Sequence, residues 1–244
     1  MQFIADTHTH TIMSGHAYST LSENMAAAAQ AGLRFLCSTE HASLMPDAPH
    51  FLYFDGMRIL PDSLSGVYLI RGCEVDIVDV KGTLDLPENT LKKLEWVIAS
   101  LHPPVYRPAG VEAHTETWLQ IARNPLVDVI GHCGDGRYRF DYETVIREFA
   151  RNGKIVEINA NSFRVREGSQ ENCRVIAQLC KKHGVRIVVS SDAHHCSWIG
   201  NFGPVPQMLQ EIGFPEEQIL NANYERFAAT LEKKTGRSFP VING

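Results

Sequence analysis

The stretch Phe3-Ile4-Ala5-Asp6-Thr7-His8-Thr9-His10 decides how the rest of the chain is read: a short apolar run turns polar and ends in a His-x-His pair. On an extended backbone, residues two apart project from one face, so both imidazoles can reach a single ion. Similar β-branched apolar runs follow at residues 33–37, 67–72, 96–101, 127–130, 155–159 and 185–189. Continuous apolar runs of this length suit parallel strands covered on both faces. Helix signals lie between them. Thr20 and Glu23 form a capping box ahead of the Ala-rich segment 25–31, which Gly32 closes. Segments 141–151 and 169–183 end in the same way, at Gly153 and Gly184. Such strand-then-helix alternation predicts an α/β fold with right-handed crossovers.

Chemistry-bearing residues repeat with the same rhythm. His10, His41, Glu74, His102 and His132 follow one another at intervals of 31, 33, 28 and 30 residues, and Asp192 comes 60 after His132. Asn159 and Asn161 stand near the midpoint of that last interval. A strand, a helix and two loops occupy about 30 residues. The ligand-type residues therefore recur at the carboxyl ends of successive strands, where barrel enzymes assemble their sites. Seven such units use up the 244 residues. The expected architecture is a distorted (β/α)7, TIM-like barrel forming a single domain over residues 1–244. Its C-terminal part, from about residue 200, is expected to be helical and packed on the barrel. Residues 42–65, with the aromatic cluster His50, Phe51, Tyr53 and Phe54, break the rhythm and read as an inserted loop. Lys81-Gly82 reads as a hairpin turn.

The composition is 44% hydrophobic and 21% charged, with 18 Gly and 12 Pro, which excludes disordered and collagen-like classes. A formal net charge of −5 argues against a broad nucleic-acid footprint. No apolar stretch reaches the roughly 20 residues needed to span a bilayer. The six cysteines form no CxxC pair, and the start carries no basic, signal-like segment, so a cytoplasmic protein with reduced thiols is expected. The 11 histidines are the anomaly.

Taken singly, a strand-end His is commonly an ordinary residue. Glu74, in Gly72-Cys73-Glu74-Val75, is costly inside an apolar strand unless paired or metal-bound. Ser191-Asp192-Ala193-His194 again places a carboxylate and an imidazole at i and i+2. Together His8, His10, His16, His41, Glu74, His102, His132, Asp192 and His194 supply nine candidate ligands at six of seven strand ends. Nine exceed what one tetrahedral ion takes, so two or three ions bridged by a carboxylate are expected. Imidazole with carboxylate suits Zn2+, Mn2+ or Fe2+.

The ordered set His8-x-His10, His16, Thr39-x-His41, Glu74, His102, His132, Asp192-x-His194 resembles the PHP (polymerase and histidinol phosphatase) family, closest to its YcdX-type phosphatases. His16-Ala17-Tyr18-Ser19-Thr20-Leu21, Glu157-Ile158-Asn159 with Asn161-Ser162-Phe163, and Gly168-Ser169 before Glu171-Asn172-Cys173 add to the resemblance. It implies a trinuclear site, commonly zinc. His8 and His10 would share one ion with Glu74 and Asp192; His16, His41 and His194 would hold a second; Glu74, His102 and His132 a third. Two positions depart from the family pattern: Glu40 replaces the usual Asp, and Cys133 stands where a Pro commonly follows the His. Neither removes a ligand, though Glu40 can alter ligand orientation and Cys133 can compete weakly for metal.

The function expected from this set is hydrolysis of small phosphomonoesters by a metal-activated hydroxide, with Asp192 and His194 as catalytic residues. The leaving-group proton is open between His194 and a water. Arg166, after the ligand-free sixth strand, is the first candidate for substrate contact; Arg58 in the inserted loop is the second. His50 and His114 are expected at the surface. The expected partner is a small phosphorylated substrate, not a nucleic-acid polymer or membrane; the resemblance also implies self-association into a homo-oligomer. Two other classes stay open. An amidohydrolase-type C–N hydrolase shares the His-x-His but usually adds a strand-end Lys, which is missing here. A non-catalytic, polymerase-associated metal-binding module would be expected to have lost ligands.

Overall fold

The computed structural model describes residues 1–242. Its elements, in chain order, are β1 (Ala5–Thr9), α1 (Leu21–Gln30), β2 (Phe35–Ser38), α2 (Phe51–Gly56), β3 (Ser63–Leu64), β4 (Val67–Asp76), α3 (Glu88–Leu91), β5 (Trp96–Ser100), α4 (Val111–Arg123), β6 (Val129–Ile130), α5 (Tyr142–Arg151), β7 (Ile155–Asn159), α6 (Ser162–Val165), α7 (Ser169–His183), β8 (Ile187–Ser190), α8 (Val205–Glu211) and α9 (Tyr224–Thr235). Seven strands pair in parallel in the order β1-β2-β4-β5-β6-β7-β8, and β3 adds antiparallel to β4. The architecture is the distorted (β/α)7 barrel that the 30-residue rhythm predicts.

Local signals explain the helices. Both halves of the Thr20–Glu23 capping box form at the start of α1. Asp141 caps α5 by accepting from Thr144 N at 3.1 Å. α7 stops at Gly184, whose φ of 70° is a left-handed C-cap that glycine adopts without strain. The 77–84 segment turns back as expected, with Ile77 and Leu84 bridged antiparallel.

Seven strands leave a seam between β8 and β1. At its upper end Thr9 pairs with Ala193. Lower down, β8 and β1 are not paired, and Asn221 bridges them. Its amide donates to Ala5 O at 2.9 Å and Val189 O at 2.7 Å and accepts from Val189 N at 3.1 Å. A buried side chain thus satisfies the backbone groups that an eighth strand would satisfy.

Inside the barrel, polarity changes with height. Along β4, alternate residues Tyr68 and Ile70 are apolar, while Glu74 and Asp76 are acidic. The lower layer packs Phe35, Trp96, Ile98 and Val188 against Phe227, Leu231 and Phe239 from the C-terminal segment. Gly72 marks the crossing between the layers: a Cβ there would lie 2.5 Å from Trp96 O and 2.9 Å from Thr39 Cγ2.

One expectation needs correction. Residues 42–65 are not a plain loop but carry α2, a 3-10 turn (Met57–Ile59) and β3. The aromatic cluster drives this, because Phe54 and Met57 bury themselves in the main core between barrel and helices.

Candidate metal centre

The carboxyl ends of the strands bring all nine ligand-type residues to one face. His8 and Glu74 lie within β1 and β4, and His10, His41, His102, His132, Asp192 and His194 lie one to four residues beyond strand ends. Seven of the nine are buried; His194 is half-buried and His16 exposed, so the cluster opens to solvent at these two.

Three imidazole pairs organise the cluster. Nε2 to Nε2 separations are 3.0 Å for His8 and His10, 3.1 Å for His102 and His132, and 3.1 Å for His16 and His194. Ligand atoms around a tetrahedral zinc at 2.0–2.1 Å stand about 3.3 Å apart. The first pair is joined by Glu74 Oε2, 3.2 Å from His8 and 3.6 Å from His10, and by Asp192 Oδ1, 3.7 and 3.3 Å away. The second pair is joined by the other oxygen of the same carboxylate, Glu74 Oε1, at 3.4 Å from His102 and 2.8 Å from His132. Glu74 therefore faces two donor sets at once. His41 sits among the three pairs, its ring centroid 4.4 Å from His10 and 5.0 Å from both His16 and His102.

The opposite ring nitrogens are tied down. His8 Nδ1 meets Glu157 Oε1 at 2.7 Å, His102 Nδ1 meets Asp76 Oδ1 at 2.8 Å, and His10 Nδ1 meets Ser14 Oγ at 3.3 Å. His194 Nδ1 meets Asp192 O at 3.0 Å. When an acceptor holds the proton on Nδ1, the Nε2 lone pair is left facing inward. His41 Nε2 is buried without a hydrogen-bond partner, and His41 Nδ1 and Glu74 Oε2 face each other at 2.8 Å in a contact poorly directed for a hydrogen bond. Such atoms are costly unless something else satisfies them, and a divalent cation is what this donor set accommodates.

Charge and strain follow the same pattern. Burial holds His102 down to about 3 and His132 to about 4; burial with neighbouring His41 and His194 holds His16 to about 4. These rings are neutral and ready to coordinate near pH 7. Burial also opposes charge on His8, but Glu74, Glu157 and Asp192 outweigh it and raise that ring. His132 and Asp192 have φ of 23° and 53°, left-handed values that non-glycine residues rarely adopt. Such outliers concentrate at functional sites, where surrounding contacts hold them.

A family model described as PHP domain matches residues 6–161. The chain belongs to the PHP domain family. Curated relatives that match nearly end to end include a probable phosphatase of Clostridium botulinum strain Hall, 44% identical over 234 residues, which cover 96% of each chain. Another, from Photobacterium profundum, is 45% identical over 235 residues, again 96% of each. Among solved structures, histidinol phosphate phosphatase from Lactococcus lactis, complexed with zinc, L-histidinol and phosphate, superimposes with a TM-score of 0.58. It is 15% identical and covers 86% of this chain and 94% of its own, a likeness of fold.

Within this PHP barrel the two departures have separate consequences. Glu40 points at the 11–14 loop, accepting Thr11 N at 3.0 Å and Ser14 Oγ at 2.8 Å. Ser14 in turn accepts His41 N at 3.1 Å, so Glu40 orients the hydroxyl that touches His10. Cys133 is buried in the main core with Cys173 and Cys180 and belongs to none of the metal-capable groups. Its apolar surroundings, not the ligand set, take up the thiol.

The arginine candidates diverge. Arg166 reaches the site, with Nη1 3.3 Å from Asp192 Oδ2 and 2.8 Å from Ser162 Oγ. Arg58 is exposed and lines a separate hollow with Asp55, Arg71 and Glu95 that contains none of the nine residues. Its segment packs on the barrel flank through Phe54, which carries Arg58 away from the strand ends. His50 is exposed as expected, but His114 is buried, bridging Ala109 N and Arg139 O at 2.8 Å each. Sequence reading missed the supporting roles of Glu157 and Asp76. Glu157 carried the same signal as Glu74, a carboxylate between apolar Val156 and Ile158.

Proposed function

We propose that this PHP chain hydrolyses small phosphomonoesters using two or three divalent cations, with zinc the first choice and Mn2+ or Fe2+ as alternatives. His8, His10, His16, His41, Glu74, His102, His132, Asp192 and His194 would hold them. The carrying observation is the set of three Nε2–Nε2 pairs at 3.0–3.1 Å, two of them served by opposite oxygens of Glu74. The relatives named probable phosphatases, 44–45% identical across 96% of both chains, support the reaction class.

Bound there, divalent cations supply neutralisation of phosphoryl charge and acidify a water for attack on phosphorus. The chain's own residues set the stage. Glu157 and Asp76 fix the tautomers of His8 and His102 through their Nδ1 atoms. Asp192 is held by Asn159 Nδ2 at 3.1 Å and by Arg166 at 3.3 Å, which keeps Oδ1 turned toward His8 and His10. Arg166 retains further N–H donors, and a guanidinium beside the ligands suits a phosphate oxygen. His16 and His194 form the solvent-facing side, where the phosphate of a substrate arrives.

An amide-hydrolysing site would want a lysine at a strand's carboxyl end. The buried Lys154 lies at the opposite end, just ahead of β7, and donates to Asn124 O and Val127 O at 2.5 Å. A complete ligand set also speaks against a non-catalytic module. All six cysteines are unpaired, which supports a reducing, cytoplasmic setting, and no helix among the described residues is long and apolar enough to cross a membrane.

The test is metal analysis beside a panel of phosphomonoesters and amides. His10→Ala and Asp192→Ala should each lower metal content and phosphatase activity together. Turnover of amides alone, or activity surviving either substitution, contradicts the reading.

A further inference from the structure

Beside the ligand cluster lies a cleft of ≈ 260 Å3 that the metal donors do not fill. Asp192 and His194 form its inner wall; Arg164, Trp198 and Tyr18 form the outer one. Two features of that outer wall are unusual for open surface. Trp198 and Tyr18 are 41% and 75% exposed, so two large aromatic side chains face solvent at the mouth of a polar site. Over Trp198, the Arg164 guanidinium lies 4.2 Å from the ring centroid. Stacking of this kind holds the planar group in place and leaves its in-plane N–H donors free.

The charge balance of the cleft gives those donors a use. Arg137, Arg166 and Arg174 pair with Asp135, Asp192 and Glu211. Arg164 pairs with no carboxylate among the described residues. The one carboxylate lining the cleft, Asp192, already faces Arg166 and the metal-donor set. The outer wall of the cleft therefore presents a guanidinium with no carboxylate partner among the described residues.

We propose that Arg164, laid on Trp198 beside the metal donors, selects phosphomonoesters whose leaving group carries a second anionic group, a carboxylate or a further phosphate. The assignment rests on the phosphatase reading above. A leaving group bearing an ammonium, as L-histidinol does in the Lactococcus lactis structure, meets like charge in this cleft. Specificity here comes from repulsion of the cation as well as attraction of the anion.

Kinetics on zinc-loaded protein test this with two- to four-carbon phosphomonoesters matched except for the terminal group: carboxylate, phosphate, hydroxyl or ammonium. The expected order of kcat/KM is anion, then hydroxyl, then ammonium. The anion should lead the hydroxyl by roughly tenfold, the size of one charge-assisted hydrogen bond, expressed in KM. The carboxylate and phosphate arms tell which anion fits. Arg164 is exposed, so its variants should fold. Arg164→Gln should collapse the anion-to-hydroxyl ratio toward one, Arg164→Glu should invert the anion-to-ammonium order, and Arg164→Lys should retain part of the preference. Turnover indifferent to the terminal group, or ratios unmoved by Arg164→Gln and Arg164→Glu, overturns the Arg164 assignment alone. Absence of turnover across all four arms overturns the phosphatase reading, and the assignment with it.

Discussion

Nδ1 of His8 donates to Oε1 of Glu157 at 2.7 Å, both side chains fully buried. The second oxygen of Glu157 accepts His132 N at 2.6 Å, so one carboxylate steadies ligands from two different donor sets. Orientation of a metal-binding imidazole by such a partner typically contributes 10–100-fold in affinity or activity. Glu157→Gln, which keeps shape but removes charge, should weaken metal binding by roughly tenfold or more. Competition against a chelator measures this. Unchanged affinity would make Glu157 a packing residue only.

Asp192 combines a ligand position with a φ of 53°. Asn is among the few side chains that tolerate this conformation. Asp192→Asn should therefore keep the backbone unstrained, losing phosphatase activity, at least one bound ion and the part of metal-free stability that the charge pairing with Arg166 and His8 contributes. Asp192→Val, β-branched and strained there, should lower stability further. Thermal melts with and without chelator separate the two effects.

The same histidines set an unusual pH profile for metal-stripped protein. Burial depresses His10, His16, His102 and His132, so these four rings cost stability as pH falls below about 6.5, a loss that the raised carboxyls of Asp76 and Asp85 offset in the same range. His8 and His41 are raised: burial opposes, but facing carboxylates, above all Glu74, outweigh it. Their contribution is complete below the unfolded value and is lost as pH rises through the folded one. Stripped protein should lose stability as pH rises above about 6.5, because burial also raises the carboxyls of Asp85 to about 7 and Asp76 to about 8, and these too hold their protons more tightly in the folded chain. Metal-loaded protein, whose ligands are already deprotonated, should hold its stability on the alkaline side. Melting temperature against pH, with and without chelator, checks both curves; a stripped protein that gains stability steadily above pH 6.5 contradicts them.

Asn221 offers a test of the fold that leaves the chemistry aside. Asn221→Ala strands Ala5 O, Val189 O and Val189 N in the β8–β1 seam. Losing three buried partners should cost about 2–4 kcal/mol. Denaturant unfolding reads this directly, and a loss under about 1 kcal/mol would mean the seam is bridged by other means.

How far the sequence carried the reading depends on which residues spoke for themselves. The barrel was legible because apolar strands and ligand types share a period, and the strand ends of β1, β4 and β8 place His8, Glu74 and Asp192 together. The seam was not legible: Asn221 looks like a loop asparagine until the unpaired stretch between β8 and β1 is seen. Arg58 went astray because the 42–65 segment folds along the barrel flank, a result of where Phe54 buries. His114 was misjudged because a polar residue on a helix reads as surface until its two backbone partners are known. The cleft under Arg164 is not legible in the sequence, since Trp198 and Arg164 are 34 residues apart in the chain and meet only on folding.

The most direct measurement of the central claim is the number and position of bound ions, by native mass spectrometry and anomalous scattering from zinc-loaded crystals. Two or three zinc ions per chain are expected, with Glu74 lying between two of them and each ion beside one Nε2–Nε2 pair. One ion or none, or ions placed away from Glu74, would contradict that claim.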